Sequence, residues 1–136
     1  MSVLGIDVGT KRIGIAVSDE LNLMAHPVGT VAAEPKETLL SRLEEIVNEK
    51  QVREIVVGMP VNMNGTLGPK AEQADEFIKW LKHELRLPVH SWDERLTTAQ
   101  GTKMLIDQDF SRKQRRRVID SLAAQILLQS YLDSKH

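Results

Sequence analysis

Two stretches near the N-terminus constrain the fold more than any other part of the chain. Residues 2–8 and 12–18 alternate in side-chain character with the period of two that is typical of strands, and the short segment between them suits a hairpin connection. Asp7 interrupts the otherwise apolar first run. The pattern therefore predicts an antiparallel hairpin with a carboxylate in the middle of a core strand.

The rest of the pattern predicts an α/β protein. Compact apolar runs suit strands, and apolar residues at helical spacing suit helices. An antiparallel start followed by β-α-β crossovers predicts one mixed five-stranded sheet, with its first three strands antiparallel and helices on its faces. We expect a single domain over residues 1–136. In chain order the further predicted elements are a strand at 26–32, a helix at 35–50, a strand at 53–60, a helix at 69–85, a strand at 87–94 and helices at 95–107 and 112–133.

The composition argues against several kinds of site. The hydrophobic share of 41% and the charged share of 27% are those of an ordinary globular protein. The chain has no cysteine, and its four histidines show no paired ligand spacing, so neither disulfides nor a zinc site is expected. No apolar run is long enough to cross a bilayer and no signal segment is apparent, so we expect a cytoplasmic protein without a membrane partner. Because the net charge is −1, any affinity for nucleic acid must come from a local basic patch.

Asp7 is the first of three acids in core-facing places. It shares a strand face with Gly5, and its expected neighbours across the hairpin are the small residues Gly14, Ala16 and Ser18. A buried carboxylate is costly unless a cation or hydrogen bonds compensate it. Two interpretations are therefore open: Asp7 binds a cation, or it accepts backbone N–H groups from the turn that follows.

The second and third acidic positions lie in the C-terminal half. Asp93 and Glu94 follow one another on a strand, so they point to opposite faces and only one can meet Asp7. Asp93 is also a candidate helix N-cap. Asp120 aligns with Ala124, Leu127 and Tyr131 on an apolar helical stripe, with a salt bridge to Arg116 as the simpler alternative. Three core-facing acids suggest an oxygen-ligand site for Mg²⁺ or Mn²⁺. Two such ions about 3.5–4 Å apart can activate water and stabilise the leaving oxygen in phosphodiester hydrolysis, so we expect a nuclease of the two-metal-ion type.

Basic residues near these acids suggest a nucleic-acid partner. The run "SRKQRRR" opens the last predicted helix, only a few residues before Asp120. The loop at 58–71 follows a strand end, where α/β proteins usually bind ligands. A solvated charged surface is the alternative, and Trp92 is better explained as a core residue than as a base-stacking one. The candidate nucleic-acid contacts are Lys11, Arg12, Asn62, Asn64, Lys70, Arg95, Arg112, Lys113, Arg115 and Arg116.

Four segments together resemble one protein family. "GIDVGTKRIGIAVSD", "IVVGMPVNMNGT", "DERLTT" and "IDSLAAQILLQSYL" occur here in this order, as in the YqgF/RuvX family, a branch of the ribonuclease H-like superfamily related to Holliday junction resolvases. The resemblance implies a ribonuclease H-like sheet and a divalent-metal nuclease with Asp7, Glu94 and Asp120 as catalytic and metal-binding residues. It also implies a role in trimming the precursor ends of 16S rRNA during maturation of the small ribosomal subunit. Related resolvases often carry a further acid where this chain has Ala123.

Other functions stay open from the sequence. Holliday junction resolution is one, although the missing acid at Ala123 counts against it. The first hairpin also resembles the phosphate-binding hairpin of the actin, Hsp70 and sugar-kinase superfamily, which would make the chain a nucleotide-binding module. A non-catalytic nucleic-acid or ribosome-binding factor is a third. The sequence does not distinguish a monomer from a homodimer.

Overall fold

A computed structural model describes residues 1–9, 11–60, 68–94 and 112–135, and for residues 112–120 we describe the backbone alone. The helix predicted at 95–107 lies outside these residues. No helix in this described part of the chain is long and apolar enough to cross a membrane. The elements are β1 (Ser2–Val8), β2 (Arg12–Ser18), β3 (Ala25–Ala32), α1 (Lys36–Lys50), β4 (Val52–Met59), α2 (Pro69–Leu85), β5 (Val89–Asp93) and α3 (Arg112–Ser134).

The five strands form one mixed sheet in the order β3-β2-β1-β4-β5. The first three strands pair antiparallel, and β4 and β5 add in parallel to β1. The predicted architecture is therefore confirmed. Asp7 pairs with Gly14 and Gly5 with Ala16, as the hairpin pattern predicted. The turn is closed by the Gly9 N–H, which donates to the Arg12 carbonyl oxygen at 3.0 Å.

Alternation along the strands gives the sheet two different apolar faces. One face carries Leu4, Ile6 and Ile15, and it packs against α1 and α2 through residues such as Leu43 and Leu81. The other face carries Val3, Ala16 and Val56 and packs against α3. Asp7 follows Val3 and Gly5 on the α3 face, which is the face that the sequence pattern assigned to it.

The α3 helix lies unusually close to β1 because Gly5 has no side chain. A Cβ atom at Gly5 would lie 2.8 Å from the Cβ of Leu128 and 3.3 Å from the carbonyl oxygen of Ala124. Further along the helix, Tyr131 reaches Glu54, which pairs with Val3 at the start of β1. The helix therefore runs antiparallel to β1, and the turn before Ala124 extends toward the Asp7 end of that strand.

Candidate active site

Asp7 and Glu94 meet at one edge of the sheet. Asp7 lies one residue before the end of β1, and Glu94 directly follows the last residue of β5. Since β1, β4 and β5 are parallel, their carboxyl ends lie at the same edge, which is where α/β proteins bind ligands. The two carboxyl groups share a hydrogen bond. Of the two adjacent acids, it is Glu94 that contacts Asp7.

Gly58 provides the space that Glu94 occupies. It lies in β4 opposite Trp92 of β5, and a Cβ atom there would lie 2.6 Å from Oε1 and 3.1 Å from Cγ of Glu94. Any larger residue would therefore displace the carboxylate. The sequence interpretation missed this residue, although a glycine inside a β-branched run can indicate that another group approaches closely.

The two carboxylates line a cavity of about 180 Å³. Gly9 and Pro60 contribute backbone-rich walls from the ends of β1 and β4. Lys70 and Gln73 line it from the first turns of α2. Lys70 lies at the end of the loop segment 58–71 and, as the helix predicted at 69–85 requires, in the first turn of α2, because Pro69 occupies the first helical position. Gln73 was not predicted, since its position depends on how α2 packs at the end of the sheet.

The electrostatics of the cavity favour a bound cation. Burial raises the pKa of Glu94, and so do the hydrogen bond and the charge of Asp7, giving a pKa of about 8 against an ordinary 4.5. The charge of Lys70 lowers this pKa and the charge of Asp93 raises it further. Two ionised carboxylates in contact repel one another, and a divalent cation would remove that penalty. Their oxygen atoms are the ligands that Mg²⁺ and Mn²⁺ prefer.

The other predicted site residues fall into two groups. Lys11 and Arg12 are exposed at the β1–β2 turn, at the Asp7 end of the sheet. Residue 120 lies on α3 one turn before Ala124, at the helix end nearer to Asp7. Among the residues whose side chains are described, no group of three or more acids or histidines could hold a metal ion. The remaining predicted site residues either lie outside the described part of the chain or have side chains that are not described: Asn62, Asn64, Arg95, Arg112, Lys113, Arg115, Arg116 and Asp120.

The fold defines the class of protein. The structure is similar to that of *Thermus thermophilus* RuvC in complex with a Holliday junction substrate, with a TM-score of 0.60 and 17% identity over 99% of this chain and 96% of that one. It is equally similar to the fowlpox virus resolvase in complex with Holliday junction DNA, with a TM-score of 0.61 and 13% identity over 99% of both chains. The chain thus has the ribonuclease H-like fold of the RuvC resolvases.

The sequence comparisons define the family within that class. The RuvX family model, described as Holliday junction resolvase, matches residues 1–134, and the chain belongs to this family. A protein of *Geobacillus* sp. (strain WCH70) is 53% identical over 99% of both chains. A protein of *Clostridioides difficile* (strain 630) is 47% identical over 98% of this chain and 94% of its own length. Both carry the name "Putative pre-16S rRNA nuclease".

Proposed function

We propose that this chain is a divalent-metal-dependent nuclease that hydrolyses phosphodiester bonds at the precursor ends of 16S rRNA. The observation that carries the proposal is the contact between Asp7 and Glu94 in a small cavity at the carboxyl ends of β1 and β5. The names of the relatives support the RNA substrate. The cavity offers carboxylates and a lysine, and none of the described residues that line it is a serine, threonine or cysteine.

Asp7 and Glu94 are the residues that would hold the metal, with Asp120 as the third proposed ligand. When bound, Mg²⁺ or Mn²⁺ would activate a water molecule for attack on phosphorus and stabilise the leaving oxygen. Because both carboxylates must be ionised to act as ligands, the proton that they share has to leave when a cation enters.

The remaining residues of the cavity would position the substrate. The Lys70 ammonium group is close enough to lower the pKa of Glu94, so it can also attract a phosphate that enters the cavity. The exposed cations Lys11 and Arg12 would contact the strand backbone beside the scissile bond. Gly58 would keep the Glu94 carboxylate at its place without touching the substrate.

Holliday junction resolution is the second candidate function. The description of the family model and the resolvase complexes with the same fold favour it. Against it stands Ala123, an exposed residue that provides no carboxylate where related resolvases often have one.

A substrate panel separates these functions. End-labelled precursor 16S RNA and a four-way DNA junction would be incubated with the wild-type protein in Mg²⁺, Mn²⁺ or EDTA. We expect cleavage of the RNA that requires a divalent ion and stops in EDTA. Cleavage of the junction alone would establish the resolvase function instead. If neither is cut but ATP raises the melting temperature, the protein is a nucleotide-binding module.

A further inference from the structure

A second cavity, of about 620 Å³, lies at the opposite end of the α3 face. This volume is within the range of small-molecule sites. Its walls come mainly from the start of β4, from residues 90–92 of β5 and from the last turns of α3, and none of the lining residues belongs to the proposed active site. The side chains that matter here are Arg53, Glu54, His90, Trp92, Tyr131 and Lys135.

The charge of this cavity suits an anion. Two cationic side chains, Arg53 and Lys135, line it, and the acid among these residues, Glu54, already has partners. Nε2 of His90 lies 3.4 Å from Oε2 of Glu54, and the Tyr131 hydroxyl donates to Oε1 at 3.5 Å. Arg53 and Lys135 are exposed, and the Lys135 ammonium group lies over the Tyr131 ring at 5.1 Å from its centroid, so both charges can still reach a ligand in the cavity.

Aromatic rings are fixed in the same cavity. The indole N–H of Trp92 donates to Oγ of Ser130 at 3.1 Å, and the ring meets Tyr131 edge-on at 5.6 Å between centroids. The His90 ring stacks on Tyr131 at 6.2 Å, with 48% of its side chain exposed. Trp92 is half-buried. Anchored rings of this kind can stack on a base with little further loss of conformational freedom.

The cavity also continues the proposed active site along β5. His90, Trp92 and Glu94 alternate along the chain, so their side chains share one face of this edge strand. At about 3.3 Å per residue, Trp92 lies ~7 Å and His90 ~13 Å along the strand from Glu94. A nucleic-acid strand that leaves the Asp7–Glu94 pair in this direction would pass over the cavity.

We propose that this cavity binds an unpaired nucleotide of the substrate strand, with its phosphates at Arg53 and Lys135 and its base against Trp92. The identity of the strand rests on the proposed nuclease function, but binding itself does not require cleavage. Cations combined with aromatic rings are typical of sites for single-stranded nucleic acid, since every base has a π-face. A duplex should not bind in this way, because its bases are already stacked on one another and cannot stack on Trp92.

Tryptophan fluorescence tests the proposal directly. The chain has two tryptophans, and Trp80 packs beside Phe77 on α2, against the other face of the sheet. In a Trp80→Phe background the signal comes from Trp92 alone. We expect a short oligouridylate in EDTA to quench it, and a duplex RNA of equal length to quench it far less.

Charge variants in the same background test the phosphate contacts. Arg53→Ala and Lys135→Ala should each weaken oligouridylate binding about five- to tenfold. Each should also reduce the slope of log K against log salt by about 0.7, the value for one phosphate contact on a single strand. Arg42→Ala, an exposed arginine on α1 that pairs with Glu45, is the matched control and should bind as the parent does.

Three results would overturn the proposal: Trp92 fluorescence unchanged by oligouridylate, equal quenching by polyglutamate, or both charge variants binding as the control does. An Asp7→Asn protein that still shows the quench supports the cavity independently of catalysis. A wild-type protein that shows the quench but cuts no RNA refutes the nuclease function and leaves the cavity standing. RNA cleavage without any change in Trp92 fluorescence would support the nuclease function and refute nucleotide binding at this cavity.

Discussion

At the scale of single residues, the position of Glu94 depends on Gly58. We expect Gly58→Ala to lower kcat for RNA cleavage at least tenfold, because the new Cβ would lie 2.6 Å from Oε1 of Glu94 and move the carboxylate away from Asp7. KM should change little, since Gly58 does not contact the substrate. The melting temperature should stay near the wild-type value because the displaced atoms are the end of a flexible side chain. A wild-type kcat in this variant would contradict the role given to Gly58.

The shared proton of Asp7 and Glu94 predicts how stability depends on pH. The pKa of Glu94 is about 8 in the folded protein against an ordinary 4.5. Between these values the folded state holds a proton that the unfolded state has released, so the stability of the metal-free protein should fall as pH rises from 5 to 8. Burial raises this pKa most, and the neighbouring groups that shift it further are Asp7, Lys70 and Asp93.

Thermal unfolding in EDTA at several pH values measures this effect. Glu94→Gln removes the titrating group, so its melting temperature should fall less over the same range. Added Mg²⁺ should raise the wild-type melting temperature more at pH 8 than at pH 6, because protons compete with the metal. Equal pH dependence in the two proteins would show that Glu94 does not carry the proton.

Residue-level prediction from the sequence succeeded where local rules apply. Strand alternation showed that only one of Asp93 and Glu94 could meet Asp7. The family resemblance indicated Glu94, but no local rule does, because which acid meets Asp7 depends on how β5 lies against β4 and β1. Gly58 escaped notice for the same reason, since its partner Glu94 is distant in the chain. These contacts are non-local, and a single sequence does not contain them in readable form.

At the scale of elements, the contact between α3 and β1 limits the residue at position 5. Gly5→Val should destabilise the protein by about 1–3 kcal/mol, because its side chain would overlap Leu128. Leu128→Ala should itself cost about 2–5 kcal/mol by leaving a cavity. In the double variant the valine would fill part of that cavity, so its loss should be smaller than the sum. Urea unfolding of the four proteins measures this coupling, and strictly additive losses would contradict close packing at Gly5.

The elements themselves were predictable because their signals are local. Pro69 correctly indicated the first helical residue of α2, and the apolar stripe of α3 gave its range to within one residue at the C-terminal end. The strand predicted at 87–94 is shorter in the structure, beginning at Val89. Pro88 accepts a hydrogen bond from the Ile55 N–H but has no N–H of its own to donate, so regular pairing begins one residue later.

At the scale of the whole molecule, nucleic-acid affinity must come from local patches, because the net charge is −1. Lys11 is exposed in the turn beside Asp7. Lys11→Ala should weaken RNA binding at low salt and lower the salt slope by about 0.7, measured by fluorescence anisotropy in EDTA. Lys50→Ala, at the end of α1, is the control. If both variants bind equally well, the turn does not contact the strand.

The mixed sheet was predictable at this scale, but the assembly of its site was only partly so. Antiparallel strands followed by β-α-β units leave few possible topologies, and the four segments of the resemblance indicated the family. The contact between Asp7 and Glu94 in a partly open cavity depends on packing among β1, β4, β5 and α2. The burial of these two carboxyl groups is a property of the folded chain, and no local sequence pattern predicts it.

The most direct test of the nuclease account is the rate at which Asp7→Asn cleaves end-labelled precursor 16S RNA in Mg²⁺. Asp75→Asn serves as the matched control, since Asp75 is an exposed acid on α2 that pairs only with Lys79 among the ion pairs of the described residues. We predict that cleavage is lost in Asp7→Asn and unchanged in Asp75→Asn, with both proteins folded as judged by thermal unfolding. Wild-type cleavage by a folded Asp7→Asn protein would contradict the account.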